Sequence, residues 1–427
     1  MTAGPPHATR LQAADRSEKR TVILSEAIRL FNEQGYFETR LEDVANRLGT
    51  AKTSISYHFK SKEALLLEAY SGTCDFAEAE IKLAADAPNG LERVVRWVRA
   101  YAQAQSAATL GHRTPLAVIS DPAAFSEEEA RSIAPRLAAH GRALLQFVRE
   151  GVEDGSIATA SPAASVFLLL SMQQWIRGWI ENVVPASHDH AIDALCDLLR
   201  NGLAAEGPHA MQAARPYARP DTDNYLFDRD ARNRMKLEAF LRVGTRHLNR
   251  RGFRTLSVNE VAAELGVSRG VFYYHFDDKD ELLKSCALHT LDIMEKTLNT
   301  YLDAPGPAMS RLHLVLTALY EGHLTDLNPL LRLSLFASLG DKDRPVVLAR
   351  FRRITAGISE LVASGMADGS IRPLDIGALE HLICGSVFGA TQQRLHTFGI
   401  EAELEPGPLS GPLYFRPLFF GLSAGRG

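Results

Sequence analysis

Cysteine is scarce in this chain of 427 residues: Cys74, Cys196, Cys286 and Cys384 stand far apart, with no C-x-x-C spacing. That fits free buried thiols in a reducing cytoplasm better than a disulfide or zinc framework. No apolar run approaches the length of a membrane span, and no apolar signal region opens the chain. We expect no nucleophile elbow, no Gly-rich phosphate loop and no spaced metal set, so the chain reads as a binding protein needing no cofactor or metal, not as an enzyme. An excess of positive charge is also missing. The net charge of −4 argues against nonspecific nucleic-acid binding over the whole surface, although a single face can still be basic. What remains is ordinary globular composition, 46% apolar and 23% charged, in a chain long enough for several domains.

One stretch occurs twice. Gly35 to Leu66 and Gly252 to Leu283 align without a gap at an offset of 217 (252 − 35). Val44/Val261, Ala45/Ala262, Leu48/Leu265 and Gly49/Gly266 match, as do Tyr57-His58-Phe59 and Tyr274-His275-Phe276. The offset is too long for a solenoid repeat, so each copy is a whole domain.

Each copy has the periodicity of a helical hairpin. Leu41, Val44, Ala45 and Leu48 form one apolar helix face, repeated by Val258, Val261, Ala262 and Leu265. Thr39-x-x-Glu42 and Ser257-x-x-Glu260 fit capping boxes, and Gly49 and Gly266 end the helices. A short second helix follows, about Ala51 to Phe59 in copy one and capped by Ser268 in copy two; in copy one a third starts after Ser61. Helix, tight turn, short helix is the helix-turn-helix plan, in which the second helix enters the major groove. Lys52, Thr53 and Ser54, and Arg269 with Gly270 and Val271, are its expected base-facing positions. Tyr57, His58, Ser257, Tyr273, Tyr274 and His275 complete the candidate DNA-binding set, Tyr57 and Tyr274 as phosphate donors. Lys62 and Lys279 start the third helix, where a phosphate is expected.

At these residues the chain resembles the TetR family of bacterial transcriptional regulators. The family pattern is a Gly-aromatic, a capped helix, Leu/Ala-Gly-Val-Ser, a short reading helix ending Tyr-x-His/Tyr-Phe, and Lys-Glu-x-Leu-Leu. Both copies match it over roughly sixty residues each, counting the preceding helix. Copy one departs at Ala51 and Ser56, where copy two keeps Ser268 and Tyr273, and copy two carries Asp277-Asp278 against Lys60-Ser61. The resemblance implies an all-α fold, double-stranded operator DNA and a small-molecule effector as partners, and repression relieved by that effector.

The expected organisation is a disordered arm (1–15), DNA-binding domain 1 (16–75), helical effector-like domain 1 (76–205), a linker (206–230), DNA-binding domain 2 (231–292), helical domain 2 (293–400) and an apolar Pro/Gly-rich tail (401–427). Gly151-Val-Glu-Asp-Gly-Ser-Ile157 recurs as Gly365-Met-Ala-Asp-Gly-Ser-Ile371, so the whole unit is duplicated. Arg113, Arg177 and His112 are candidates to meet an acidic ligand. His188-Asp189-His190 reads as a solvated turn. For assembly, the resemblance implies pairing through late helices. Arg136–Glu150 and Ala163–Val184 are expected to pack on Ala349–Ser364 and Asp375–His396 as an intrachain pseudo-dimer rather than a homodimer, with Gly385 and Gly389 allowing close approach. The alternative function is a helical interaction module in which one or both readers no longer bind DNA; a helical enzyme using the effector pocket is a second rival.

Overall fold

The computed structural model describes residues 7–118, 125, 127–207, 229–325, 327–392, 400 and 411–426. Among these the architecture is all-α, with eight helices in each half. The first half holds α1 (His7–Gln34), α2 (Leu41–Arg47), α3 (Lys52–His58), α4 (Lys62–Ala85), α5 (Gly90–Thr109), α6 (Glu127–Glu153), α7 (Pro162–Glu181) and α8 (His188–Asn201). The second holds α9 (Arg229–Arg251), α10 (Val258–Glu264), α11 (Arg269–His275), α12 (Lys279–Leu302), α13 (Ala308–Leu324), α14 (Asp343–Ala367), α15 (Ile376–Gln392) and α16 (Gly411–Phe420).

The duplication extends to individual hydrogen bonds. Asn32 on α1 donates from Nδ2 to Leu116 O (2.9 Å) and accepts from Val118 N (2.7 Å); Asn249 on α9 does the same with Leu330 O (2.8 Å) and Arg332 N (2.9 Å). Thr73 Oγ1 accepts from Ala117 N, and Thr290 Oγ1 from Leu331 N, both at 2.9 Å. In each unit one extended segment is therefore tied both to the first helix and to the fourth. The repeated Asp-Gly-Ser turn also has a task. Asp154 accepts from Gly90 N and Asp368 from Ala308 N, both at 2.8 Å, so each turn caps the fifth helix of its unit.

The two units meet along α7 and α15. Val166, Phe167, Leu168, Leu169, Leu170 and Ile180 on α7 are all buried, each contributing about 1.5–3 kcal/mol of transfer free energy. Close approach requires glycine. A Cβ on Gly389 would fall 2.2 Å from Ser171 O, and one on Gly385 would fall 2.0 Å from Trp175 Cδ1. Exchanging the units maps one of these contacts onto the other.

The same exchange relates a set of backbone hydrogen bonds near the unit ends. Leu203 N donates to Leu418 O (3.0 Å) and Leu422 N to Leu199 O (2.8 Å). Arg372 N donates to Leu203 O (3.0 Å) and Ala158 N to Leu422 O (2.8 Å). Gly202 and Gly421 pass each other at the centre, both with positive φ, 65° and 74°, and a Cβ on either would strike the other strand of backbone.

Several expectations need correction. Helix α1 begins at His7 rather than near residue 16, because His-Ala-Thr-Arg-Leu-Gln-Ala-Ala holds good helix formers and no breaker. The cap of α2 is Arg40, whose N–H donates to Asp43 Oδ2 (2.7 Å); Thr39 is turned inward, its hydroxyl donating to Gly35 O (2.8 Å). In copy two Ser257 does cap α10, through Glu260 N at 3.3 Å, whereas Ser268 occupies the cap position of α11 without a side-chain bond. His188 is no solvated turn. It is buried at the start of α8, with Ser106 Oγ at 2.8 Å from Nδ1 and Val183 O at 3.2 Å from Nε2.

The largest correction concerns the last helices. Residues 411–420, expected as tail, form α16, which packs on α7 and α13. Tyr414 stacks on Tyr320 (centroids 4.3 Å apart, 9° between planes) and donates to Ser386 O (2.7 Å), while Phe415, Leu418 and Phe419 are buried. The helices facing each other across the units are thus α7, α8, α15 and α16; α6 and α14 are not the main partners across this seam. The linker at 208–228 and the Asp121-Pro122 break lie outside the described residues.

Candidate nucleic-acid interface

Helices α3 and α11 are seven residues each, too short to stand alone, and packing holds them. Ile55 and Phe272 are their fully buried anchors. That orientation leaves Lys52, Thr53, Ser54 and Tyr57 exposed in one copy, and Arg269, Gly270, Tyr273 and Tyr274 in the other. Tyr57 and Tyr274 are 67% and 68% exposed, a large apolar expenditure unless a partner covers them. Beyond its chain neighbours and its own helix backbone, the nearest atom to a Cβ placed on Gly270 is Ser268 Oγ at 3.7 Å, so packing does not demand glycine there. Val271 is half-buried and packs against the core.

The charged candidates are already engaged. Lys52 Nζ lies 2.7 Å from Glu42 Oε1, and that hydrogen bond holds the Glu42 carboxyl below its usual range. Arg269 lies over Tyr273 and donates to its hydroxyl (2.8 Å). Lys62 donates to Tyr36 O (2.9 Å) and Thr39 O (3.0 Å) and sits 3.9 Å from the Tyr36 ring centroid. Lys279 makes the looser equivalent with Arg254 O (3.5 Å) and Phe253. Both lysines fasten the turn between the first two helices, a task their sequence position did not reveal. Ser257 is occupied as a cap, and His58 and His275 sit half-buried, edge-on to Tyr57 and Tyr274. Burial pushes the His275 imidazole below its usual pKa, with Lys236 adding repulsion.

Basic residues that the motif did not point to complete the surface. Arg16 lies over the Tyr57 ring at 5.1 Å. In the second unit Arg232 and Lys236 on α9 share a groove with Gly270, Val271 and Tyr274. Their i, i+4 spacing at the start of a helix was the available signal.

The two reader domains touch. Glu38, buried in the first, accepts from Arg254 N (2.8 Å) and Arg254 Nε (3.1 Å) in the second. Phe37 and Glu38 lie directly against Gly252.

Behind the first reader, α4, α5, α6 and α7 enclose a cavity of about 20 Å³, room for roughly one water. Thr73, Tyr101, Arg136, His140, Gln173 and Gln174 supply its polar lining. Arg136 is neutralised by Asp75 (2.6 Å) and Glu78 (2.7 Å). Burial drives His140 to a pKa of about 4, so it is neutral. The amide oxygens of Gln173 and Gln174 are buried without a hydrogen-bond partner, a cost of about 1–3 kcal/mol each. Arg113, Arg177 and His112 do not line this cavity; Arg113 lies over Phe76 and Arg177 pairs with Glu181 (3.1 Å).

Contrary to expectation, the sequence does hold the G-x-S-x-G pattern of a nucleophile elbow, at Gly421-Leu-Ser-Ala-Gly425. It follows helix α16 rather than a strand, and Ser423 N donates to Arg200 O within the seam between units.

Comparison with known proteins agrees with this geometry. The family model described as "Bacterial regulatory proteins, tetR family" matches twice, at residues 23–69 and 240–286, again 217 apart, and the model "Tetracyclin repressor-like, C-terminal domain" matches 89–203. The chain belongs to the TetR family, as a tandem duplication. Among curated TetR-type relatives, the HTH-type transcriptional regulator RutR of Escherichia coli (strain K12) is 37% identical over 82 residues, 19% of this chain and 39% of RutR. The uncharacterized regulator YerO of Bacillus subtilis (strain 168) is 43% identical over 53 residues, 12% of this chain and 18% of YerO. The chain thus spans well under half the length of the curated relatives it matches. Similar solved structures include the TetR family regulator PfmR from Thermus thermophilus (23% identity, TM-score 0.32, 41% of this chain and 95% of that one). AibR in complex with isovaleryl coenzyme A and operator DNA is 22% identical, with a TM-score of 0.36, over 42% of this chain and 97% of AibR. Among the described residues of this TetR-family chain, no helix is long and apolar enough to cross a membrane.

Proposed function

We propose that this chain is a transcriptional repressor that reads a bipartite operator with two unlike helix-turn-helix domains on one polypeptide. The observation that carries the reading is the exchange-related set of contacts across α7/α15 and Gly202/Gly421, which supports an intrachain pseudo-dimer. A symmetric TetR dimer presents one reading helix twice. Here Lys52, Thr53 and Ser54 offer three side-chain donors, whereas Arg269 offers one beside the bare backbone of Gly270, so the half-sites differ. Lys62 drops out as a primary phosphate contact; Arg16, Arg232 and Lys236 join Tyr57, Tyr274 and Lys279. On this reading unit two runs from α9 through α16, and the last helix belongs to the pairing domain.

Release follows from the ties in unit one. The cavity wall includes Thr73 and Ala117, and the segment containing Ala117 is hydrogen-bonded to Asn32 on the helix that buttresses reader one. A small molecule that spreads α4 from α6 pulls on that segment and re-aims the reader.

The test is titration of duplex DNA selected from a random pool. Affinity that falls steeply with salt, a protected site of two unlike halves, and loss of one half on Arg269→Ala support the reading. Salt-independent binding, or a perfect palindrome as the selected site, overturns it.

A further inference from the structure

The two units keep their hydrogen bonds in register, but not the lining of their effector-side interiors. Arg136 and its carboxylates recur as Arg350 with Asp292 (2.7 Å) and Glu295, so that ion pair is a shared structural brace rather than a ligand contact. Around it the chemistry diverges. Where unit one has Ala77, Leu137, His140, Gln173 and Gln174, unit two has Met294, Phe351, Ile354, Val387 and Phe388. Four of these replacements are almost completely buried, and Phe351 meets Phe388 edge-to-face at 5.7 Å. A longer side chain or a ring stands at most positions where unit one leaves space, and no polar group replaces the glutamines or the histidine.

A second difference points the same way. Helix α6 carries Pro135 in its interior, one residue before Arg136, whereas the matching position in α14 is Ala349. A proline in mid-helix removes a backbone hydrogen bond and weakens the turn before it. The wall of the unit-one cavity therefore has a built-in weak point, and the wall of unit two does not.

We infer that this chain takes one effector, in unit one alone, and that unit two is a ligand-free half whose interior is plugged by its own side chains. The occupant is a small uncharged molecule with an apolar body and a hydrogen-bond donor. Gln173, 7% exposed, offers it an unpartnered amide oxygen, and Gln174 offers a second. The one cation among the described lining residues is already neutralised by two carboxylates, so it is not free to meet an anion. The cavity holds about one water when closed, so the ligand enters by parting α6 from α4 near Pro135. One ligand thus acts on two readers through the shared α7/α15 seam.

The inference rests on the ligand-release reading only for its consequence, and the experiment separates the two. Full-length chain is titrated with 4-fluorophenol and bound probe is counted by fluorine NMR, with 4-fluorotoluene and 4-fluorobenzoate as the donor-free and charged comparisons. We expect one phenol per chain, weaker binding of both comparisons, and at least a tenfold loss of affinity on His140→Ile with Gln173→Val, the residues of unit two. Ile354→Val should leave the titration unchanged. If the double variant folds poorly, Gln173→Leu alone reads the same contact. Two phenols per chain, one phenol insensitive to Gln173→Leu, benzoate binding as tightly as phenol, or no saturable binding overturns the inference. Operator affinity measured with probe present is a separate readout. One bound phenol with unchanged operator affinity keeps the single site and removes the release reading.

Discussion

Cutting the contact between the readers should change which operators the chain accepts. Glu38 receives two hydrogen bonds from Arg254, at 2.8 and 3.1 Å, and its carboxylate is buried. Hydrogen bonds to a charged group contribute about 1.5–3 kcal/mol. At 1.4 kcal/mol per factor of ten, the clamp favours its one reader spacing by roughly ten- to a hundredfold. Glu38→Ala should lower affinity for the preferred bipartite site by up to that factor. Affinity for an isolated half-site should hold, because no reading residue is touched. Preference among spacers should flatten, since freed readers sample more separations. Arg254→Ala should do the same, and the double variant should cost less than the sum of the singles, as expected for groups in direct contact. The assay is electrophoretic titration against operators whose spacer differs by one base pair at a time, with circular dichroism melts to confirm that each variant folds. Unchanged spacer preference in both well-folded single variants refutes the clamp.

Four further outcomes follow. Lys62→Ala should destabilise reader one by about 1.5–3 kcal/mol, through loss of charged bonds to Tyr36 and Thr39, and urea melts should show this before any selective DNA defect. Arg269→Ala should cost about 1–3 kcal/mol at one base position and relax preference there, seen by selection from a random pool. Gly389→Val places a side chain where Cβ alone would meet Ser171 O at 2.2 Å; it should destabilise the seam by at least about 1–3 kcal/mol, measured by chemical denaturation. Stability should fall on acidification between pH 6.5 and 4, because burial holds both His140 and His313 down to about 4. The unfolded chain takes up protons there that the folded one refuses, so stability is full above 6.5 and drops by up to about 1.4 kcal/mol per pH unit per histidine. His140→Ile should remove one histidine's share of that slope, to which the lowered His275 also contributes, in urea melts at pH 7 and pH 5.

The elements that could be read from the sequence are those set by local pattern. The apolar faces at Val44/Ala45 and Val261/Ala262, the helix stops at Gly49 and Gly266, and the duplication itself are short-range signals. What escaped depends on long-range placement. Arg254 carries no mark that Glu38, 216 residues earlier, is its partner. Lys62 has the position of a phosphate ligand, and only the three-dimensional turn shows Tyr36 O and Thr39 O within its reach. The helix Gly411–Phe420 was hidden by Pro417 and by the Pro/Gly-rich residues before it, although Tyr414, Phe415, Leu418 and Phe419 already held the i, i+1, i+4, i+5 spacing of a buried face. With residues 411–420 expected as tail and His188-Asp189-His190 as a solvated turn, the last helix of each unit drops from view, and α6 and α14 take the places of α8 and α16 in the expected pairing set. The loss of polarity at His140/Ile354 and Gln173/Val387 was printed in the sequence but had no meaning until the cavity showed which positions face inward.

The central claim is that one chain carries both readers of one operator. Sedimentation of the full-length chain at low concentration, alone and with a duplex bearing a single selected site, tests it most directly. The account predicts a 46.9 kDa particle that binds one duplex as a single chain and protects both halves of the site. A stable two-chain particle, with no DNA binding by the single chain, contradicts it.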